Sequence, residues 1–136
     1  MALGIYLALA ANLVSRVFIP ATTFTLSWTH CIEKIRWKAN YPVVPDAANP
    51  ARARLVALKA QIKGAGAGME PPEGARLIHG WYAYVPDAVS AQPLPRIRSE
   101  FTTDYEWCAR GQCQSMGKLL ASDHGVTLMT PCLGKP

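Results

Sequence analysis

The clearest pattern in the chain is a strict alternation from Thr23 to Glu33. Phe24, Leu26, Trp28, His30 and Ile32 take turns with Thr25, Ser27, Thr29, Cys31 and Glu33. A period of two with β-branched and aromatic residues predicts a strand buried on one face. Ile35 to Val44 continues in extended form until Pro42 and Pro45 end it, so the two segments are expected to pair antiparallel with a bend near Glu33-Lys34. Leu3 to Val14 is largely apolar, and with the residues up to Ile19 it is read as two strands, Gly4–Leu9 and Leu13–Ile19, turning at Ala10-Ala11-Asn12. Further on, Gly80 to Val85 reads as a strand, Pro86 to Pro95 as a loop, and Arg96 to Thr102 as a strand. In that last strand Ile97, Ser99 and Phe101 are placed inward and Arg98 and Glu100 outward. Tyr105–Cys108 and Gln112–Met116 flank Ala-Arg-Gly-Gln and predict a hairpin. Val126–Met129 is a last short strand.

Ala51 to Lys63 fits two descriptions. Asn49 as a cap, Pro50 in a first turn and Gly64 as a stop favour a helix. Val56, Leu58, Ala60 and Ile62 also alternate with Leu55, Ala57, Lys59 and Gln61, and periodicity alone favours neither. Gly64, Gly66 and Gly68 form a breaker with Pro71-Pro72 behind it. The run lacks the Gly-Lys-Ser/Thr end of a phosphate loop and the spacing of a dinucleotide fingerprint, so a bulged structural turn is expected.

Composition narrows the class. The 136 residues suit one domain, half of them are hydrophobic and 17% are charged, which argues against disorder. Eleven prolines and ten glycines imply many turns and few long helices. The expected fold is all-β: seven to nine short, mainly antiparallel strands in a small sandwich or partly open barrel. The net charge of +5 is spread along the chain. Lys34, Arg36 and Lys38 alternate and would share one strand face. That face is read first as solvated, with a phosphate or anionic contact as the alternative. No zinc finger, aromatic-rich ribonucleoprotein motif or arginine run is present, so nucleic acid is not an expected partner. Ala8-Leu9-Ala10 looks like a signal-peptidase site, but no Lys or Arg precedes the apolar run as a secretory signal requires. The compartment, cytoplasmic or periplasmic, stays open, as does the oligomeric state.

Several segments together carry a resemblance. They are Phe24-Thr-Leu-Ser-Trp-Thr-His30-Cys-Ile-Glu33-Lys34 with Trp37 behind, Gly66-Ala67-Gly68-Met69 with Pro71-Pro72, Gly80-Trp81-Tyr82, and Asp104-Tyr105 followed by Cys108, Gly111 and Cys113. In this order the chain resembles the bacterial domain-of-unknown-function family eighteen-fifty, over roughly 4–116, leaving 117–136 as a C-terminal extension. The resemblance implies a β-rich domain encoded beside tripartite ATP-independent periplasmic (TRAP) transporters with TAXI-type solute receptors. A transporter or its receptor is then the expected partner. It also implies an extended segment before Gly66, which sets the helix aside. Two departures stand out: a cysteine follows His30 where the family carries serine, and Lys38-Ala39-Asn40 stands where acidic residues are usual.

Candidate ligand or partner contacts are His30, Glu33, Lys34, Trp37, Trp81 and Asp104. His30 and Glu33 point to opposite sides of a flat strand, so only a bend or bulge unites them. An imidazole beside a carboxylate suits a metal or polar ligand, but a hydrogen-bonded histidine pinning the bend is the preferred reading. No catalytic residue, cofactor or metal set is assigned. Cys108 and Cys113, opposed across a hairpin, come near disulfide distance, and a reduced pair is the open alternative. A zinc site completed by His124 and Cys132 is the least favoured. Two functions remain: a non-enzymatic accessory or binding domain working with the transport system, or a small-molecule or metal-dependent enzyme using the His30/Glu33 region.

Overall fold

The computed structural model describes residues 2–29, 36–49, 51–56, 59–63, 75–79, 81–84 and 93–134. Among them are twelve strands: β1 (Ala2–Leu9), β2 (Asn12–Pro20), β3 (Thr23–Thr29), β4 (Arg36–Pro45), β5 (Ala53–Leu55), β6 (Lys59–Lys63), β7 (Arg76–Ile78), β8 (Trp81–Tyr84), β9 (Leu94–Ile97), β10 (Glu106–Ala109), β11 (Gln112–Ser115) and β12 (Val126–Gly134). One 3-10 turn, Met116–Lys118, follows β11. The protein is all-β, built from antiparallel pairs in two sheets. The smaller runs β2-β1-β12-β9. The larger runs β11-β10-β3-β4-β6-β8-β7, with β5 pairing the far half of β4. No helix among the described residues is long and apolar enough to cross a membrane.

The inner faces share one core. Ile5 and Leu7 of β1, Met129 of β12 and Leu94 of β9 meet Phe24, Leu26, Ala39, Tyr41, Val43, Ala60 and Trp107 of the larger sheet. The alternation of β3 and β4 explains this: the directly opposed pairs Phe24–Tyr41, Leu26–Ala39 and Trp28–Trp37 all sit on the inward side. Phe24 stacks between Trp107, at 4.3 Å, and Tyr41, at 5.4 Å. Offset rings at such separations stabilise beyond their buried area.

Several sequence expectations change. The strand count exceeds seven to nine. Within Ala51–Lys63 the described residues hold two short strands on the same partner: β5 on one half of β4, β6 on the other. The short strand β7 shows no alternation; all three of its residues are exposed. β9 begins at Leu94, inside the expected loop, and tolerates Pro95 because it lies at a sheet edge. β12 runs to Gly134 rather than Met129. Its Pro131 lies past the reach of β9, where one side of the strand is unpaired.

Of the expected strand Arg96–Thr102 only Arg96–Ile97 is strand, and the expected phase is reversed at Ile97, Arg98 and Phe101, while Glu100 is exposed as expected. Ile97 and Phe101 are 70% and 83% exposed, whereas Arg98 is 3% exposed. Arg98 is held inside by Asp104, which takes Nε at 3.0 Å and Nη2 at 2.6 Å, while Nη1 donates to Thr127 Oγ1 at 3.2 Å. A paired, hydrogen-bonded guanidinium can occupy a position that an unpaired charge cannot.

Candidate functional site

The same alternation that fills the core leaves a continuous outer face on the larger sheet. Cross-strand registers set out two rows. One runs Cys113–Cys108–Thr25–Asn40, the other Ser115–Glu106–Ser27–Lys38–Gln61. Thr25, Lys38, Asn40 and Gln61 line a groove of about 150 Å³. Asn40 Nδ2 donates to Thr25 Oγ1 at 3.1 Å and to the Phe24 carbonyl at 3.4 Å, fixing one wall. The Lys38 ammonium lies 4.3 Å from the centre of the Trp81 ring, and Lys63 approaches the same ring at 5.9 Å. The indole face attracts both cations, so it holds Lys38 at the groove without neutralising it. Arg36, two residues away on the same face, meets Glu106 at 3.4 Å; both side chains are over a third exposed, so water screens the pair.

At the border of this face the structure joins Cys108 and Cys113 in a disulfide, with Cα atoms 4.0 Å apart. The two residues are direct register partners. Arg110 (φ 54°) and Gly111 (φ 74°) close the hairpin, the two positive φ values that a two-residue primed turn demands. Glu106 Oε1 lies 3.6 Å from Cys108 Sγ.

The inner face carries a second polar-aromatic cluster. Trp28 stacks on Trp37 at 6.3 Å and tilts against Tyr105 at 5.8 Å. Arg96 reaches in from β9 and donates from Nη2 to Tyr41 Oη at 2.7 Å. Its guanidinium lies 5.7 Å from the Trp28 ring centre and 6.0 Å from that of Tyr41. Arg96 Nε and Trp37 Nε1 are buried without a hydrogen-bond partner. Burial of the Tyr105 phenol raises its pKa above 10.0; the positive charge of Arg96 opposes that shift.

The sequence-derived contacts fall in separate places. Trp37 is on the inner face, Trp81 on the outer face, and Asp104 is bound to Arg98. His30, Glu33 and Lys34, with the bend expected there, lie outside the described residues, and so do Gly64, Gly66 and Gly68. Cys132 is a free, half-buried thiol on β12, its pKa raised chiefly by burial. Neither Cys132 nor His124 belongs to the group of metal-capable donors found among the described residues, which is Glu106, Cys108 and Cys113. Thr25, Asn40 and Gln61 escape a linear reading because cross-strand register, not sequence spacing, brings them together. Arg96 and Arg98 share parity with Leu94, so a phase set from Leu94 would have turned both inward.

A family profile described as "Domain of unknown function (DUF1850)" matches residues 24–116. No curated protein and no solved structure matches the chain. The matched span supplies every strand of the larger sheet, except the start of β3, but only β9 of the smaller.

Proposed function

The chain belongs to the domain-of-unknown-function family DUF1850, and from that membership we propose that it is a binding or accessory domain that works with a TRAP-type solute transport system. The outer face of the larger sheet is its contact surface. The observation that supports this is the Lys38 groove. A lysine held by an indole rather than by a carboxylate stands beside two carboxamides and a hydroxyl, all offering hydrogen bonds to a partner. The residues are presented by a rigid sheet, which favours recognition with little ordering cost. The association with transporters comes from the family resemblance.

Co-expression of the tagged full chain with a TRAP-type permease and its solute receptor tests the reading. Transport components are expected to co-purify, and a Lys38→Glu variant of unchanged melting temperature is expected to lose them. If none is enriched with the unsubstituted chain, the transporter role is wrong. If Lys38→Glu binds undiminished, the contact surface lies elsewhere.

A further inference from the structure

We infer that the β10–β11 hairpin is a redox-gated binding site for a thiophilic divalent cation such as Zn²⁺, with Cys108 Sγ, Cys113 Sγ and a Glu106 carboxylate oxygen as its three protein ligands. The inference does not depend on the transporter reading. The donor atoms all lie within 4.8 Å of one another. Glu106 and Cys108 are two apart on one strand and Cys113 is the register partner of Cys108, so the pleat turns all three to the same face. Two thiolates and a carboxylate form a donor set that zinc accepts in tetrahedral geometry, and the fourth position stays open to water or a ligand atom. Thiolates on one tetrahedral zinc stand about 3.8 Å apart. Side-chain rotation reaches that separation from a register pair whose Cα atoms are 4.0 Å apart. Cys113 and both turn residues, Arg110 and Gly111, lie at the exposed tip region of the hairpin, so an ion and a reductant both have access. Arg36, 3.4 Å from Glu106, offsets the net negative charge that two thiolates and a carboxylate leave around a divalent ion.

The disulfide is the closed state. A dithiol reductant opens it: the Cys108–Cys113 sulfur–sulfur bond takes up two electrons and two protons and yields two thiols, while the reductant's own thiols become a disulfide. Zinc then binds both sulfurs as thiolates and releases the two thiol protons to solvent. In an oxidising compartment the hairpin is a covalent staple; in a reducing one it is a metal site.

The test uses the full chain with Cys31→Ala and Cys132→Ala, which leaves Cys108 and Cys113 as its only cysteines. Protein reduced with a phosphine and protein left oxidised are titrated with Zn²⁺ and, in parallel, with Co²⁺, whose thiolate charge-transfer absorption reports sulfur ligation. One ion per reduced chain, thiolate absorption with Co²⁺, and no binding to the oxidised chain are expected. Glu106→Gln is expected to weaken binding about tenfold or more. Cys108→Ser/Cys113→Ser is expected to abolish it while the near-ultraviolet dichroism of the tryptophans persists. Equal affinity in the reduced chain and the double serine variant overturns the site. An unaffected Glu106→Gln overturns the three-ligand set.

Discussion

At the scale of single residues, the most consequential contact is the fork between Arg98 and Asp104. The Arg98 side chain is 1% exposed and that of Asp104 24%, so truncating the acid strands a buried charge. Asp104→Ala is expected to lower the free energy of unfolding by about 3 kcal/mol in urea titration. Arg98→Met/Asp104→Leu should recover much of that, because it removes the charge together with its partner. A double variant no more stable than Asp104→Ala would show that the fork itself, not the orphaned charge, carries the effect. Tyr105 supplies the pH signature. Its folded pKa is raised, so the protonated phenol favours the folded state. That contribution is complete below the unfolded value of about 10 and is lost as pH rises through the folded value. Stability should therefore fall on the alkaline side above pH 10, and less steeply in Tyr105→Phe, measured by urea midpoints across that window. At this scale the alternation of Phe24, Leu26 and Trp28 was open to reading in the sequence, because burial on one face writes itself as period two. Arg98 was not: a charged side chain reads as outward until its partner is known.

At the scale of elements, the hairpins were the legible part. The β10–β11 turn announces itself through Gly111, and β3–β4 through matched alternation on both strands. β12 was legible only at its start, since Pro131 reads as a stop in a strand whose unpaired side is unknown. Its end is also closely packed. The ring of Phe18 on β2 lies across Gly4 of β1 and Gly134 of β12, and a Cβ on Gly134 would meet Phe18 Cε1 at 2.7 Å. Glycine is required there for close approach rather than for backbone freedom. Gly134→Ala is expected to cost about 1–3 kcal/mol, and less in a Phe18→Leu background, a double-mutant cycle read by thermal or urea unfolding. Additive costs would mean that the ring does not set the constraint.

At the scale of the whole molecule, the two sheets depend on one another in a way that no local pattern could disclose. β1 and β12 come from opposite ends of the described chain, yet they pair over eight residues and place Ile5, Leu7 and Met129 against the larger sheet. A pairing that spans most of the sequence leaves no trace in neighbouring residues, so the sheet order was illegible while the all-β class was not. The family-matched span, 24–116, contains neither strand. Expressed alone it would expose the inner face of Phe24, Leu26, Tyr41 and Val43. It is expected to bind a hydrophobic dye and to lack the cooperative urea transition of the full chain. A sharp transition in the isolated span would mean that the larger sheet closes its own core.

The pairing of Ala2 with Gly134 has a mechanical consequence. A load applied between these two positions acts across the strands rather than along them. The β1–β12 ladder would then open rung by rung, as a zipper does, instead of resisting as one sheared block. The domain is built to yield gently when pulled by these two residues, and to hold far more firmly when the load runs along the same strands, as between Ala2 and Thr127, where every rung is sheared together.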